Sequence, residues 1–258
     1  TIAAAQSSAN DYSRLAKYIA MTKVFTDVAE YETKYNNGDY DSEDVEPVRQ
    51  ELNVLRFNAA SEIFTQKIEV TGWTGDLANT LRSDQHWSGN TVSYYDANSW
   101  VPNFVGLKHT LTTTITLPQG SYVLKAAGRS SSDATLRLNI KNGDTSIETV
   151  EYTGKGDQGY GIDTSGAANF SAEGTYANNN VGRGWEWEFA KFELNAETTV
   201  TLLVEVDYND IQNRFGSFSD ITLWMDDDTY LSVNGGAIDA PLAQAKALNT
   251  LPMGDSEM

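Results

Sequence analysis

The chain has 258 residues, 40% of them hydrophobic, enough to bury a core in one large all-β domain or two smaller units. Its 36 acidic against 18 basic residues leave a formal charge of −18, which repels nucleic acid and anionic lipid and leaves neutral sugars, cations or other proteins as partners. The absence of cysteine excludes disulfides, thiolate metal sites and a cysteine nucleophile, and no apolar run approaches a membrane span.

Helical periodicity runs from about Asn10 to Thr65. Leu15, Ile19, Thr22, Phe25 and Ala29 recur on one face of a first helix. Asn36-Asn37-Gly38 ends it, with Gly38 suited to the left-handed cap. Asp41-Ser42-Glu43-Asp44 then caps a second helix, and Pro47 fits only its first turn. Val48, Leu52, Leu55, Ala59 and Ile63 make the second stripe. Two stripes joined by a short polar link predict an antiparallel α-helical hairpin over 1–66, covered by the rest of the chain or by a protein partner.

From Lys67 the period becomes 2, and strands are expected near 67–71, 110–117, 121–129, 135–140, 146–152, 186–194, 199–208 and 219–225. Leu111 to Ala127 alternates, breaks at Pro118-Gln119-Gly120 and alternates again, the pattern of a β-hairpin. Leu136, Leu138 and Ile140 alternate with Arg137 and Asn139, and Val200, Leu202, Val204 and Val206 also keep to one face. One dry and one wet face predict a mainly β module over 67–232, a two-sheet antiparallel β-sandwich. Residues 233–258 read as a linker and C-terminal tail with a short helix.

Two segments, 73–109 and 154–185, read as irregular and rich in Gly, Asn, Ser and aromatics, the composition of functional loops. Trp87, Tyr94, Tyr95 and Trp100 lie in the first, among Gln85, His86, Asn90, Asp96 and Asn98. Aromatic faces stack on sugar C–H faces, and amides and carboxylates serve the hydroxyls, so this mixture suits a glycan. The same rings would equally plug the open end of a sandwich.

Gly182-Arg183-Gly184-Trp185-Glu186-Trp187-Glu188-Phe189 is the second candidate. Strict alternation puts Glu186 and Glu188 on the side of Ala190, Phe192 and Leu194, and unpaired carboxylates there cost several kcal/mol. A bulge near Phe189 to Lys191 is therefore expected, turning Trp187 and Phe189 to the core and both glutamates to water. Trp185 lies nearer the loop rim. Arg183, between two glycines, is placed to donate to sugar hydroxyls or carboxylates, with Arg129 and Asn180 as further donors.

Asp207, Asp210, Asp220 and Asp226-Asp227-Asp228 form the third candidate, a carboxylate set able to hold calcium, although EF-hand spacing is absent and the triplet fits a solvated strand end. The sequence contains no HExxH, nucleophile elbow or phosphate loop, no cofactor signature, and only two histidines, His86 and His109. The chain therefore reads as non-catalytic. A glycoside-acting enzyme would need two carboxylates facing each other in space.

Three groups in order carry a resemblance: Gly72-Trp73 after the first strand, Leu117-Pro118-Gln119-Gly120-Ser121-Tyr122 at the hairpin, and Phe218-Ser219-Asp220-Ile221-Thr222-Leu223-Trp224 in the closing strand. Together they resemble the galactose-binding-domain-like jelly rolls. More narrowly, they are similar to carbohydrate-binding modules of exported polysaccharide-utilisation proteins from gut bacteria. The resemblance covers about 67–226. It implies non-catalytic glycan binding at the loop rim or on a concave face, structural calcium, and a location at the cell surface, in the periplasm or outside the cell. The three motifs are fold determinants and carry no binding role.

Overall fold

The computed structural model describes residues 2–85, 91–98, 108–130, 134–153, 186–207 and 215–235. Within them the expected fold class is present: two antiparallel sheets packed as a jelly-roll sandwich, preceded by helices. The helices are α1 (Ile2–Lys23), α2 (Ala29–Asn37), α3 (Val45–Ile63) and, after the last strand, α4 (227–235). The strands are β1 (Gln66–Ile68), β2 (Leu81–Gln85), β3 (Thr91–Asn98), β4 (Lys108–Leu117), β5 (Gly120–Ser130), β6 (Thr135–Asn142), β7 (Thr145–Thr153), β8 (Glu186–Leu194), β9 (Thr198–Asp207) and β10 (Phe215–Met225). One sheet has the order β2-β3-β10-β5-β8, with β1 also on β10, and the other β4-β9-β6-β7. β1 and β3 share an edge of β10, with Gln66 opposite Met225 and Asn98 opposite Phe215.

Every strand expected from alternation is present within a few residues. β2 and β3 form inside the stretch that reads as irregular, because their sequences, LRSDQ and TVSYYDAN, are too polar to show a dry face. The core between the sheets is built from the alternating residues: Leu111 of β4, Tyr122 and Leu124 of β5, Leu136, Leu138 and Ile140 of β6, Phe192 of β8, Val200 to Val206 of β9, and Phe218 and Leu223 of β10.

The motif residues fix the frame. Tyr122 is fully buried, stacks on Phe192 at 5.4 Å, and donates its hydroxyl to the Pro118 carbonyl at 2.8 Å, closing the β4–β5 turn on itself. Gly120 lies against α4: a Cβ there would stand 2.3 Å from Thr229, whose hydroxyl accepts the Ser121 N–H at 2.9 Å. Gly72 takes a positive φ of 73°, and Trp73 packs on the core. Asp220 sits at a register shift between Ser219 and Thr222 with φ 50°. α4 is not among the expected elements; Asp226 accepts the Thr229 N–H at 2.8 Å and caps it, while the short helix expected in the tail lies outside the described residues.

The helical part differs from a two-helix hairpin. The first helix ends at Lys23, the Phe25 N–H closes a turn on the Thr22 carbonyl, and Asp27 accepts the Ala29 N–H to start α2. α2 returns the chain, and Gly38 ends it in the left-handed conformation expected of it. α1 and α3 consequently run in the same direction. Contacts advance together along both: the Tyr12 hydroxyl to the Tyr40 carbonyl, Tyr18 to Arg49, Thr22 to the Leu52 carbonyl, Phe25 to Phe64.

The buried face of α3 is also rotated from the expected stripe. Arg49, Leu52, Asn53, Arg56 and Ala60 are buried, whereas Ile63 is exposed and Val48, Leu55 and Ala59 are half-buried. These helices lie on the outer face of the β5–β8–β10 sheet, where Ala60 and Phe64 pack with Val123, Ala127, Trp187 and Phe189.

This contact overturns the expected β8 bulge. β5 and β8 pair without interruption from Gly120 opposite Leu194 to Gly128 opposite Glu186. Ala190, Phe192 and Leu194 face the opposite sheet, while Trp187 and Phe189 lie under the helices, so the first half of β8 is covered on both sides and, among its described side chains, only Glu193, near its end, is exposed. Glu188, expected in water, is 1% exposed, with its Oε1 3.7 Å from Nη2 of Arg56.

Candidate functional site

Where the C-terminal half of α3 crosses the outer sheet face, a cleft of about 240 Å³ remains open, lined by Ala60, Ser61, Phe64, Thr65, Val123, Lys125, Phe189 and Trp224. The register puts its sheet residues in neighbouring rows. Val123 of β5 stands opposite Trp224 of β10, and Lys125 stands between Thr222 of β10 and Phe189 of β8. The Trp224 indole N–H donates to the Thr222 hydroxyl at 2.9 Å, which fixes the ring at the cleft wall, half-buried.

Lys125 dominates the electrostatics. Its Nζ lies 4.1 Å from the Trp187 ring centre and 4.4 Å from that of Phe57, with Phe189 at 6.0 Å. Burial among these rings pushes the ammonium down to about 8, against the pull of the Asp220 charge. Ring faces attract a cation but offer it no lone pair, and among the described residues no oxygen accepts a hydrogen bond from Lys125. The cleft thus combines aromatic walls, the Ser61 hydroxyl, the Thr65 hydroxyl, which donates to Asp227, and a lysine whose ammonium has no acceptor among the described residues.

Deeper in the same junction lies the ionic contact between helices and sandwich. Arg56 donates to the Trp187 carbonyl at 2.6 Å and to Asn53 at 3.0 Å, and its guanidinium lies over Tyr18 at 5.6 Å. Burial raises the Glu188 carboxyl above the usual carboxylate range, while Arg56, Lys17 and Arg49 pull it back down.

Of the residues expected to bind, Trp87, Trp100, Asn180, Arg183 and Trp185 lie outside the described residues. Tyr94 of β3 stands opposite Ser219 of β10 and Arg82 of β2, and Arg129 of β5 stands opposite Ser217 of β10, itself opposite Asp96. Tyr94 and Arg129 therefore lie two rows apart in one sheet. Tyr95, in the intervening row opposite Phe218, is half-buried and packs on the core. The structure thus separates Tyr95 from Tyr94 and Arg129.

Several polar residues singled out in the sequence are engaged by the fold. Asp226 caps α4, and Asp227 accepts from Thr65 and from Gln66, tying α4 to β1. Asp207 accepts from Arg137 at 3.0 Å, beside Glu151 and Glu205, each 2.6 Å from the same guanidinium. Asp210 lies outside the described residues, among which no three His, Asp or Glu side chains converge as a metal site. Buried His109 places Nδ1 2.6 Å from Oδ2 of Asp76, whose Oδ1 accepts the Thr110 N–H at 2.7 Å. That pair pins the short 3-10 turn Asp76–Thr80 to β4.

Sequence reasoning misses Lys125 and Trp224 as site residues because Lys125 sits in the alternating β-hairpin and Trp224 in the closing-strand motif, both explained by the fold. The readable signal is the row Val123, Lys125, Ala127, too apolar for an outer face bathed in water.

No protein-family model matches the sequence, and no curated protein matches it. Solved structures with a similar sandwich include a family 61 carbohydrate-binding module in complex with β-1,4-galactotriose, 12% identical, at a TM-score of 0.34 over 60% of this chain and 88% of that one. A family 16 carbohydrate-binding module is 12% identical, at 0.31 over 56% and 84%. An arabinose-bound α-L-arabinofuranosidase is 11% identical, at 0.36 over 63% of this chain and 26% of the enzyme. At these scores the likeness adds nothing to the fold, which the strand order of the two sheets establishes. Among the described residues no helix is long and apolar enough to cross a membrane.

Proposed function

We propose that this chain binds carbohydrate without transforming it, and does so outside the cytoplasm. The observation that carries the reading is the helix–sheet cleft, with Trp224, Phe64 and Phe189 as apolar walls and Ser61, Thr65 and Lys125 as polar groups. Few convergent polar groups in an aromatic-lined hollow are what a sugar ring requires. The sequence motifs, which resemble those of exported carbohydrate-binding modules, point the same way. The volume, about 240 Å³, falls below the roughly 300–1,000 Å³ of sites for drug-sized ligands, so the cleft receives one sugar residue. A few contacts against the cost of association give weak single-site affinity.

Affinity electrophoresis through polysaccharide gels and a glycan array test this, using wild type, Trp224→Ala, Trp87→Ala and Arg183→Ala. Retardation in at least one glycan, reduced about tenfold by Trp224→Ala, is the expected result, about one aromatic contact. No retardation in any glycan refutes the reading. Loss in Trp87→Ala or Arg183→Ala with Trp224→Ala unchanged moves the site to the loops.

A further inference from the structure

The cleft contains a charge that a neutral sugar does not need. Several other cations among the described residues have an anionic partner in the chain: Arg137 has Glu151, Glu205 and Asp207, Lys108 has Glu205, Lys34 has Glu30 and Arg56 has Glu188. Lys125 is held instead by ring faces at 4.1 and 4.4 Å, and its donors have no acceptor among the described residues. A cation withdrawn from water without an anion is costly, and an anion delivered to it recovers part of that cost through a charge-assisted hydrogen bond. Lys125 lines the same hollow as Trp224, Ser61 and Thr65, with its Nζ against the Phe57 and Trp187 rings beside it.

We propose that the cleft is selective for acidic sugars, the carboxylate of a uronic acid residue seating on Lys125 while its ring lies among Trp224, Ser61 and Thr65. This rests on the carbohydrate-binding reading above and names its ligand class. The overall charge of −18 does not oppose it at contact range, because charges beyond about 8 Å are screened at physiological salt. That charge does disfavour a long polyuronate, whose carboxylates would meet the acidic surface. The fitting ligand is therefore a single uronate residue, terminal or isolated in a neutral chain.

The test is ligand-observed NMR titration of wild type, Lys125→Met and Lys125→Arg with three methyl glycosides: glucuronate, its uncharged glucuronamide, and glucose. The galacturonate series is run alongside. Wild type is expected to prefer a uronate over its amide by about tenfold, the yield of one charge-assisted hydrogen bond. Lys125→Arg keeps that preference and Lys125→Met loses it. Equal binding of acid and amide by wild type overturns the inference and leaves carbohydrate binding standing. So does a preference that persists in Lys125→Met. If folded wild type binds no acidic or neutral sugar in this titration, nor any glycan on the array, both readings fall. The acid-to-amide comparison is made on wild type, so it stands even where a variant fails to fold.

Discussion

Arg56→Met is expected to be the most damaging conservative change at the helix–sandwich junction. Arg56 and Glu188 are each 1% exposed, and the methionine retains the apolar stem while removing the guanidinium. What is lost is the donor to the Trp187 carbonyl at 2.6 Å and the counter-charge 3.7 Å from Glu188. Stranding one member of a buried pair costs about 3–5 kcal/mol. At about 2–4 °C per kcal/mol for a chain near this size, melting falls by about 10 °C. Urea unfolding followed by tryptophan fluorescence measures it, with Trp187 reporting from the junction itself. The double variant Arg56→Met/Glu188→Leu should recover most of the loss, because an apolar replacement leaves no buried charge. pH supplies a second check. The folded carboxyl of Glu188 is raised, so the native state holds its proton longer than the unfolded chain does, and stability from this group falls as pH rises above the ordinary carboxylate range. Removing Arg56 raises that carboxyl further, so Arg56→Met is least harmful at acidic pH and most harmful at neutral pH. A loss below about 1 kcal/mol, with no recovery in the double variant, would refute the argument that a buried ion pair joins the two parts.

Gly120→Ala should destabilise by about 1–3 kcal/mol in the same unfolding assay, because the new Cβ would stand 2.3 Å from Thr229, and Thr229→Ser should restore part of it. Asp76→Ala should cost about 1–3 kcal/mol by leaving buried His109 and the Thr110 N–H without their acceptor, and hydrogen exchange should speed locally at Asp76–Thr80 and the start of β4. Lys125, depressed to about 8 from an ordinary 10.5, is charged in both states at neutral pH and loses its proton earlier in the folded one. Between about pH 8 and 10.5 the unfolded state binds more protons, so wild-type stability should rise relative to Lys125→Met across that window, and a flat difference would show that the amine is not desolvated.

The inner faces of the sandwich are legible in the sequence because each pair of sheets enforces period 2: Leu136, Leu138, Ile140 and Val200 to Val206 lie where alternation puts them. The candidate loops were equally visible by composition, but composition cannot distinguish Tyr95, which packs on the core, from Tyr94, one row away on the same strand. The two failures in the remaining fold have one origin. In α3, Arg49 and Arg56 interrupt the apolar stripe, so the hydrophobic pattern points to Val48, Leu55 and Ile63 instead of the face that is buried. In β8, Glu188 on an otherwise dry side forced the inference of a bulge. Each residue looks polar and exposed until its partner is known, and Arg56 and Glu188 are 132 positions apart. β8 carries Trp187 and Phe189 on one side and Ala190, Phe192 and Leu194 on the other, and β5 carries Val123 and Ala127 opposite Leu124 and Ala126. A strand that is apolar on both sides is covered on both sides, as in sheets flanked by helices. The residues available to cover it are those of 1–63, whose stripe needs a third surface. A helix face containing arginine against a strand containing glutamate is then the complementary pair, and the lysine left over on that covered face, Lys125, is the group to examine for a ligand.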